Sequence, residues 1–122
     1  MDISVLQLNF CQGQYLENFS TLIGQYGPDI ITLQEVTGGE YSRSCLDNYD
    51  FLRRELGEIY HMSLIPRFHN EGDPSSYFAN VTLTRKELGR ANHRVVRLNY
   101  HETTDTPTVP KEGYLDPIRY PY

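Results

Sequence analysis

The sequence of 122 residues contains no tryptophan, only two cysteines and no apolar run long enough to cross a bilayer. Cys11 and Cys45 are too few for a disulfide framework and lack the spacing of a metal site, so we expect two reduced thiols. Residues 1–4 lack the basic flank and apolar core of a secretory signal. We therefore expect a soluble protein without a membrane span, in the cytoplasm or, in a eukaryote, the nucleus. Secretion stays open because a removed signal leaves no trace.

Positive charge is also scarce, since 11 Lys and Arg residues face 16 Asp and Glu residues and give a formal charge of −5. This balance argues against a protein that binds nucleic acid by charge alone. A phosphoester substrate remains compatible with it, because a metal ion can supply the positive field locally. One basic cluster is either a solvated strand face or an edge that contacts phosphate: Arg85, Lys86, Arg90, Arg94 and Arg97.

The first 36 residues predict a strand, a helix and a second strand. Alternation predicts the first strand over residues 3–9, and apolar residues at helical spacing predict a helix from Leu16 to Tyr26. Gly27 and Pro28 end that helix, and the apolar run 29–36 predicts a buried strand. A strand-helix-strand unit of this length is a right-handed crossover, so we expect two parallel, adjacent strands in an α/β (α+β) fold.

The following elements predict a second helix and an antiparallel meander. The helix is capped by Asp47 or Asn48, runs to Leu56 and ends at Gly57. Strands are expected at 60–68, where Pro66 indicates an edge or a strand end, at 77–84 and at 95–100, with a polar turn at 69–76. We expect the packed side of the helix to carry Leu46, Tyr49, Leu52, Arg53 and Leu56.

Composition divides the chain into a domain at 1–100 and an extended segment at 101–122. The second segment holds four of the seven prolines among Thr, Asp, Glu and Tyr residues. Such a composition is typical of a long loop or tail.

Two polar side chains end the first two predicted strands. Alternation places Asn9 on the face of Ile3 and Val5, and Glu35 on the face of Ile31 and Leu33. Both emerge at the carboxyl rim of the sheet, the usual ligand crevice of open α/β sheets. An amide oxygen and a carboxylate suit Mg²⁺, which takes only one or two carboxylates from a protein. The plain alternative is a surface charge at a strand exit and an asparagine that caps a turn.

These stretches resemble a known family. The run from Val5 to Asn9, the helix, and the run from Pro28 through Gln34 and Glu35 to Val36 are similar to the N-terminal half of the endonuclease/exonuclease/phosphatase superfamily, which includes deoxyribonuclease-like enzymes. In that family the first strand ends in Asn and the second in Leu-Gln-Glu. The stretch 78–85 resembles its later Gly-Asn-Ala-(Ile)-Leu-Ser-Arg strand.

The resemblance implies a site and a mechanism. Glu35 and Asn9 would bind Mg²⁺ or Mn²⁺ and form the catalytic part that this chain supplies, and Asn80 would reach the substrate. Gln34 would lie behind Glu35 and steady it or a neighbouring backbone group. The implied architecture is the N-terminal half of a four-layer α/β/β/α sandwich. The substrate would be a phosphoester, with nucleic acid the first choice and a phospholipid or inositol phosphate the others.

The family's downstream motifs are absent from the 122 residues. No Asp-x-Asn and no Asp-His pair occurs, although these orient the attacking water and hold the general base in the family. We therefore expect a metal-binding half that does not turn over substrate alone, with the missing C-terminal half or another copy as partner. The alternative from another class is a non-catalytic binding or self-assembly module that uses an exposed sheet face.

Overall fold

A computed structural model describes residues 2–89 and the two-residue strand 108–109. The chain forms a mixed α+β fold in which two helices pack on a sheet. The predicted crossover is confirmed: β1 (Val5–Asn9) lies parallel to β2 (Ile30–Thr37), and α1 (Leu16–Tyr26) connects them. Gly27 ends α1 in the left-handed conformation, with φ 48°, as the Gly-Pro stop signal predicts.

The rest of the described chain follows the predicted order with two corrections. Helix α2 (Asn48–Leu56) begins at the Asp47 cap, whose carboxylate accepts from the Asp50 amide. Its packed side was predicted wrongly at two positions, because Leu46 is 45% exposed and Arg53 lies in solvent. The predicted turn at 69–76 is also wrong, since β3 (Tyr60–Asn70) and β4 (Asp73–Arg85) leave only two residues between them.

The sheet has the strand order β1-β2-β4-β3-β5, where β5 is the short strand Thr108–Val109. Strand β4 is antiparallel to both β2 and β3, so it lies at the centre of the sheet. Pro66 lies in β3, which over most of its length pairs with only one strand of the described residues, as an edge strand should. β5 pairs with His69–Asn70 and falls inside the predicted tail; the predicted strand at 95–100 and the rest of 101–122 lie outside the described residues.

Both helices pack on one face of the sheet and build the core there. Ile31, Leu33 and Leu83 are essentially inaccessible, and Phe10 meets Phe19 of α1 edge to face at 5.1 Å. Among residues 2–89 no helix covers the opposite face, where Val5 is 62% exposed and the neighbouring Ile3 is 51% exposed. A smaller buried cluster of Tyr41, Phe68 and Phe78 lies apart from the main core. In the described part of the chain, neither helix is long and apolar enough to cross a membrane.

Candidate metal centre

The face on which Glu35 lies depends on a β-bulge. Val5, Gln7 and Asn9 alternate on the exposed side of β1, and Asn9 pairs with Gln34. Simple alternation along β2 would therefore place Glu35 on the opposite, helix-covered face, beside Leu33. The predicted alternation is wrong at this point, and the bulge is the reason.

The bulge occupies Gln34 and Glu35. Leu33 pairs with Val81 and Val36 pairs with Ala79, so two residues of β2 oppose the single residue Asn80 of β4. Glu35 adopts φ 56°, in the left-handed region that L-residues other than Asn and Asp seldom enter. The shift places the fully buried Val36 in the core and turns Glu35 towards the face of Asn9.

A second irregularity lies on the other side of β4. Pro66 pairs with Ala79 and Phe68 pairs with Phe78, so Arg67 is the extra residue in β3. Asn80 thus stands in a central strand with an irregularity in each neighbour. Bulges redirect side chains and are frequent beside active sites.

The two bulges border one cavity of about 230 Å³. It brings together the predicted residues Asn9, Gln34, Glu35 and Asn80. Three residues that the sequence did not single out also line it: Gln12, Arg67 and Phe78. The predicted grouping of Asn9 with Glu35 at the carboxyl rim of two adjacent strands is therefore observed, on the face that the helices leave open.

Asn9 has a structural role as well as a place in the cavity. Its Oδ1 accepts a hydrogen bond of 2.8 Å from the Cys11 amide and so caps the turn Cys11–Gly13. This is the turn-capping role that the sequence left open. Because an amide oxygen has two lone pairs, the same atom can still face a ligand.

Gln34 acts on this corner through its backbone. Its carbonyl accepts a 2.7 Å hydrogen bond from the Phe10 amide, directly after Asn9. The link extends the pairing of β1 with β2 up to the turn. The side chain of Gln34 is exposed and lines the cavity.

Arg43 joins the turn after Asn9 to the loop after Glu35. Its Nε donates to Gln12 Oε1 at 3.0 Å, and its Nη1 donates to Gln14 Oε1 at 2.8 Å. Its backbone amide also donates to the Gln12 carbonyl at 2.9 Å. The two bonds to Gln12 fix it at the cavity wall, with its backbone in the left-handed region at φ 58°.

Hydrogen bonds of the buried Asn48 side chain fix the loop that follows β2. Asn48 is fully buried; its Nδ2 donates to Thr37 Oγ1 at 3.1 Å and its Oδ1 accepts from Ser44 Oγ at 2.9 Å. Gly13 lies so close that a Cβ there would come within 2.3 Å of Asn48 Oδ1. Asn48 therefore bonds to the strand end after Glu35 and packs closely against the turn after Asn9.

The Gly38 end of this loop is fixed by Tyr77. The Gly38 amide donates to the Tyr77 carbonyl at 3.2 Å, and the Tyr77 hydroxyl donates to Asp47 Oδ1 at 2.9 Å. Burial, and then the hydrogen bond to Asp47, raise the pKa of Tyr77 well above its usual value. The hydroxyl thus remains a donor throughout the range in which the protein is handled.

The first member of the basic cluster is a structural residue. Arg85 Nη2 donates to the Gly27 carbonyl at 2.9 Å, and its guanidinium lies 5.7 Å from the centre of the Tyr60 ring. Arg85 also approaches Asp29, whose pKa is lowered chiefly by its hydrogen bonds from Ser4. Lys86 is exposed, and Arg90, Arg94 and Arg97 lie outside the described residues.

The donor set around the cavity fits a hard cation. Glu35 supplies a carboxylate and Asn9 an amide oxygen, and Asn80 Oδ1 is buried without a hydrogen-bond partner. Among residues 2–89, no cluster of three or more His, Cys, Asp and Glu side chains forms a metal site. The oxygen atoms of Glu35, Asn9 and Asn80 are of the type that Mg²⁺ accepts, and Mg²⁺ keeps several waters and needs few protein ligands.

Comparison of the sequence with models of known protein families found no match, and no curated protein is significantly similar to it.

Proposed function

We propose that the chain is the metal-binding half of a Mg²⁺-dependent phosphoester hydrolase of the endonuclease/exonuclease/phosphatase type. The observation that carries the proposal is the bulge at Gln34–Glu35, which turns a carboxylate out of the core and into the cavity that Asn9 and Asn80 also line. A left-handed glutamate costs about 1–2 kcal/mol. Strain of this kind collects at functional sites, where a side chain must point in one direction.

In this proposal each residue has a defined task. Glu35 and Asn9 hold the ion, and Arg43 keeps Gln12 in place at the wall of the site. A Mg²⁺ ion held by Glu35 and Asn9 would supply polarisation of the phosphate and compensation of the charge that develops on its oxygens. No Asp-His pair is present in the 122 residues to activate water, so the chain supplies the electrophilic part of the reaction and not the base.

The sheet face that neither helix of residues 2–89 covers supports the proposed sandwich architecture. Both helices cover one side of the sheet, and Ile3 and Val5 remain largely exposed on the other. A second sheet packed on this side would complete a four-layer α/β/β/α arrangement and would place its own residues beside the cavity. In the proposal this second sheet comes from the missing C-terminal half, or from another copy of the chain.

Magnesium binding tests the proposal directly. Isothermal titration of the purified chain with MgCl₂ should show binding at millimolar concentration or better, and Glu35→Gln should abolish it without changing the circular dichroism spectrum. The matched control is Glu55→Gln, on the exposed side of α2, which should bind as the unaltered chain does. Absence of binding by the unaltered chain would refute the metal-centre proposal.

Turnover and assembly complete the test. We expect no hydrolysis of a phosphodiester such as bis(p-nitrophenyl) phosphate by the chain alone, and metal-dependent hydrolysis from a clean preparation would contradict the division of labour proposed here. The second candidate function is a non-catalytic assembly module, which the exposed Ile3 and Val5 favour. A dimer in size-exclusion chromatography with light scattering, together with no response to Mg²⁺, would favour the module.

A further inference from the structure

The side-chain carbonyl of Asn80 lacks a hydrogen-bond donor in this structure. Its Oδ1 is buried and accepts no hydrogen bond, and it is the one buried side-chain nitrogen or oxygen among the described residues without a partner. A buried carbonyl without a donor costs about 1–3 kcal/mol, so such a group in a folded protein calls for an explanation.

The position of Asn80 points to the explanation. In β4 it is the residue opposite the Gln34–Glu35 bulge, so Glu35 is its cross-strand neighbour. On the other side it pairs with Ile65, one residue before the irregularity at Pro66 and Arg67. Asn80 therefore lies in line with Asn9 and the Gln34–Glu35 bulge across the sheet, and it lines the same cavity.

The neighbouring groups favour a cation at this place. The Glu35 carboxylate and the Asn9 amide oxygen are acceptors, and they cannot satisfy another acceptor. The cavity wall also carries donors, namely the Arg67 guanidinium and the side-chain amides of Gln12 and Gln34, but none of them reaches Asn80 Oδ1, since that atom has no partner. A hard cation, with the waters that it retains, satisfies several oxygen atoms at once.

We propose that Asn80 is a third oxygen ligand of the cation site, acting on the ion with Glu35 and Asn9. This inference rests on the proposed metal-binding function and adds one residue to the ion's surroundings. It also predicts an opposite effect of the same substitution in the presence and in the absence of metal.

The first variant is Asn80→Leu, which removes the carbonyl and keeps the volume. Without metal, its urea midpoint should equal or exceed that of the unaltered chain, because the lost oxygen had no partner. Its Kd for Mg²⁺ should rise by at least about tenfold, the lower end of what the loss of even an outer partner of a metal site costs.

The second variant is Asn80→Asp, which keeps the shape and adds a charge. It should bind Mg²⁺ at least about tenfold more tightly, because a second carboxylate faces the ion. Without metal it should have a lower urea midpoint at neutral pH, since two carboxylates then share the cavity. This variant decides the matter if Asn80→Leu does not fold.

The matched control is Thr82→Val, two residues further along the same face of β4 and outside the cavity lining. It should leave the affinity for Mg²⁺ unchanged. Paramagnetic Mn²⁺ gives an independent readout, because it should broaden the side-chain amide signals of Asn80 in the NMR spectrum before those of Asn48, which lies under the loop.

The outcomes separate the two proposals. If the unaltered chain does not bind Mg²⁺, the proposed function fails. If it binds through Glu35 and neither Asn80 variant changes the affinity, only the role of Asn80 is refuted. If Asn80→Leu folds and binds Mg²⁺ as the unaltered chain does, but has a lower urea midpoint without metal, the Asn80 amide serves the fold and the inference is refuted as well.

Discussion

Replacing Glu35 by glycine separates the strain of the bulge from the chemistry of its carboxylate. At φ 56° the glutamate bears a conformational cost of about 1–2 kcal/mol that glycine does not. Glycine gives back about 0.5–1 kcal/mol, because its unfolded chain has more freedom to lose. In metal-free buffer we therefore expect Glu35→Gly to be more stable than the unaltered chain by about 0.5–1 kcal/mol.

The order should reverse when magnesium is added. At about 100 times the Kd, a ligand that binds only the folded state adds about 2.7 kcal/mol to the stability. The unaltered chain gains this amount and the glycine variant gains none, so the unaltered chain should then be the more stable by about 2 kcal/mol. Urea unfolding followed by circular dichroism, with and without MgCl₂, measures both differences. The unfolding free energy falls by about 1–3 kcal/mol per molar urea, so the metal-free gain should raise the urea midpoint by a few tenths of a molar.

Two controls make this reversal specific. Glu35→Gln keeps the strain and removes the charge, so it should lose the response to magnesium without any metal-free gain. Cys45→Gly relieves a similar φ of 56° at an exposed residue away from the cavity, so it should show the metal-free gain and keep the response. If Glu35→Gly is less stable than Glu35→Gln in metal-free buffer, the bulge is not a strained site and the reasoning is refuted.

Two further predictions concern the frame around the site. Hydrogen bonds from Ser4 are the main reason that the pKa of Asp29 lies below its usual 3.8. The Asp29 carboxylate therefore stabilises the fold above that pH, and this contribution is lost as the pH falls through the lowered pKa. Asp29→Asn should flatten the fall in thermal stability between pH 5 and 2, and an unchanged fall would contradict the assignment. Asn48→Ala removes a hydrogen-bond partner of the Thr37 and Ser44 hydroxyls, so it should lower the free energy of unfolding in urea by about 2–3 kcal/mol. A loss below about 1 kcal/mol would show that these hydroxyls find other partners.

Much of the fold could be predicted from local signals. The Gly27-Pro28 stop, the Asp47 cap and the apolar spacing within α1 are properties of neighbouring residues, and each element that they predict is present. The packed side of α2 was harder, because Arg53 stands four residues after Tyr49 and three before Leu56, the spacing of one helix face, yet pairs with Asp50 in solvent. Spacing alone does not distinguish a buried position from the border of a face.

The site was predictable in its members and not in its geometry. Asn9 and Glu35 could be grouped because parallel strands end at one rim. The face on which Glu35 lies could not be derived, because alternation assumes one residue per position and the bulge puts two opposite Asn80. Arg67 was missed for the same reason, since its place in the cavity comes from an irregularity in β3 that no residue pattern announces.

The bulge in β2 keeps the Glu35 carboxylate out of the core. A regular β2 would bury a glutamate between Leu33 and the helices, where an ionised carboxylate is costly. The bulge avoids this burial, but a glycine at position 35 would avoid it with less strain, so the fold alone does not require a glutamate there. The carboxylate is retained at a strained position, beside an asparagine oxygen that has no partner. The binding of a cation in the cavity would offset the first cost and remove the second, and this agreement is the strongest physical reason to look for one.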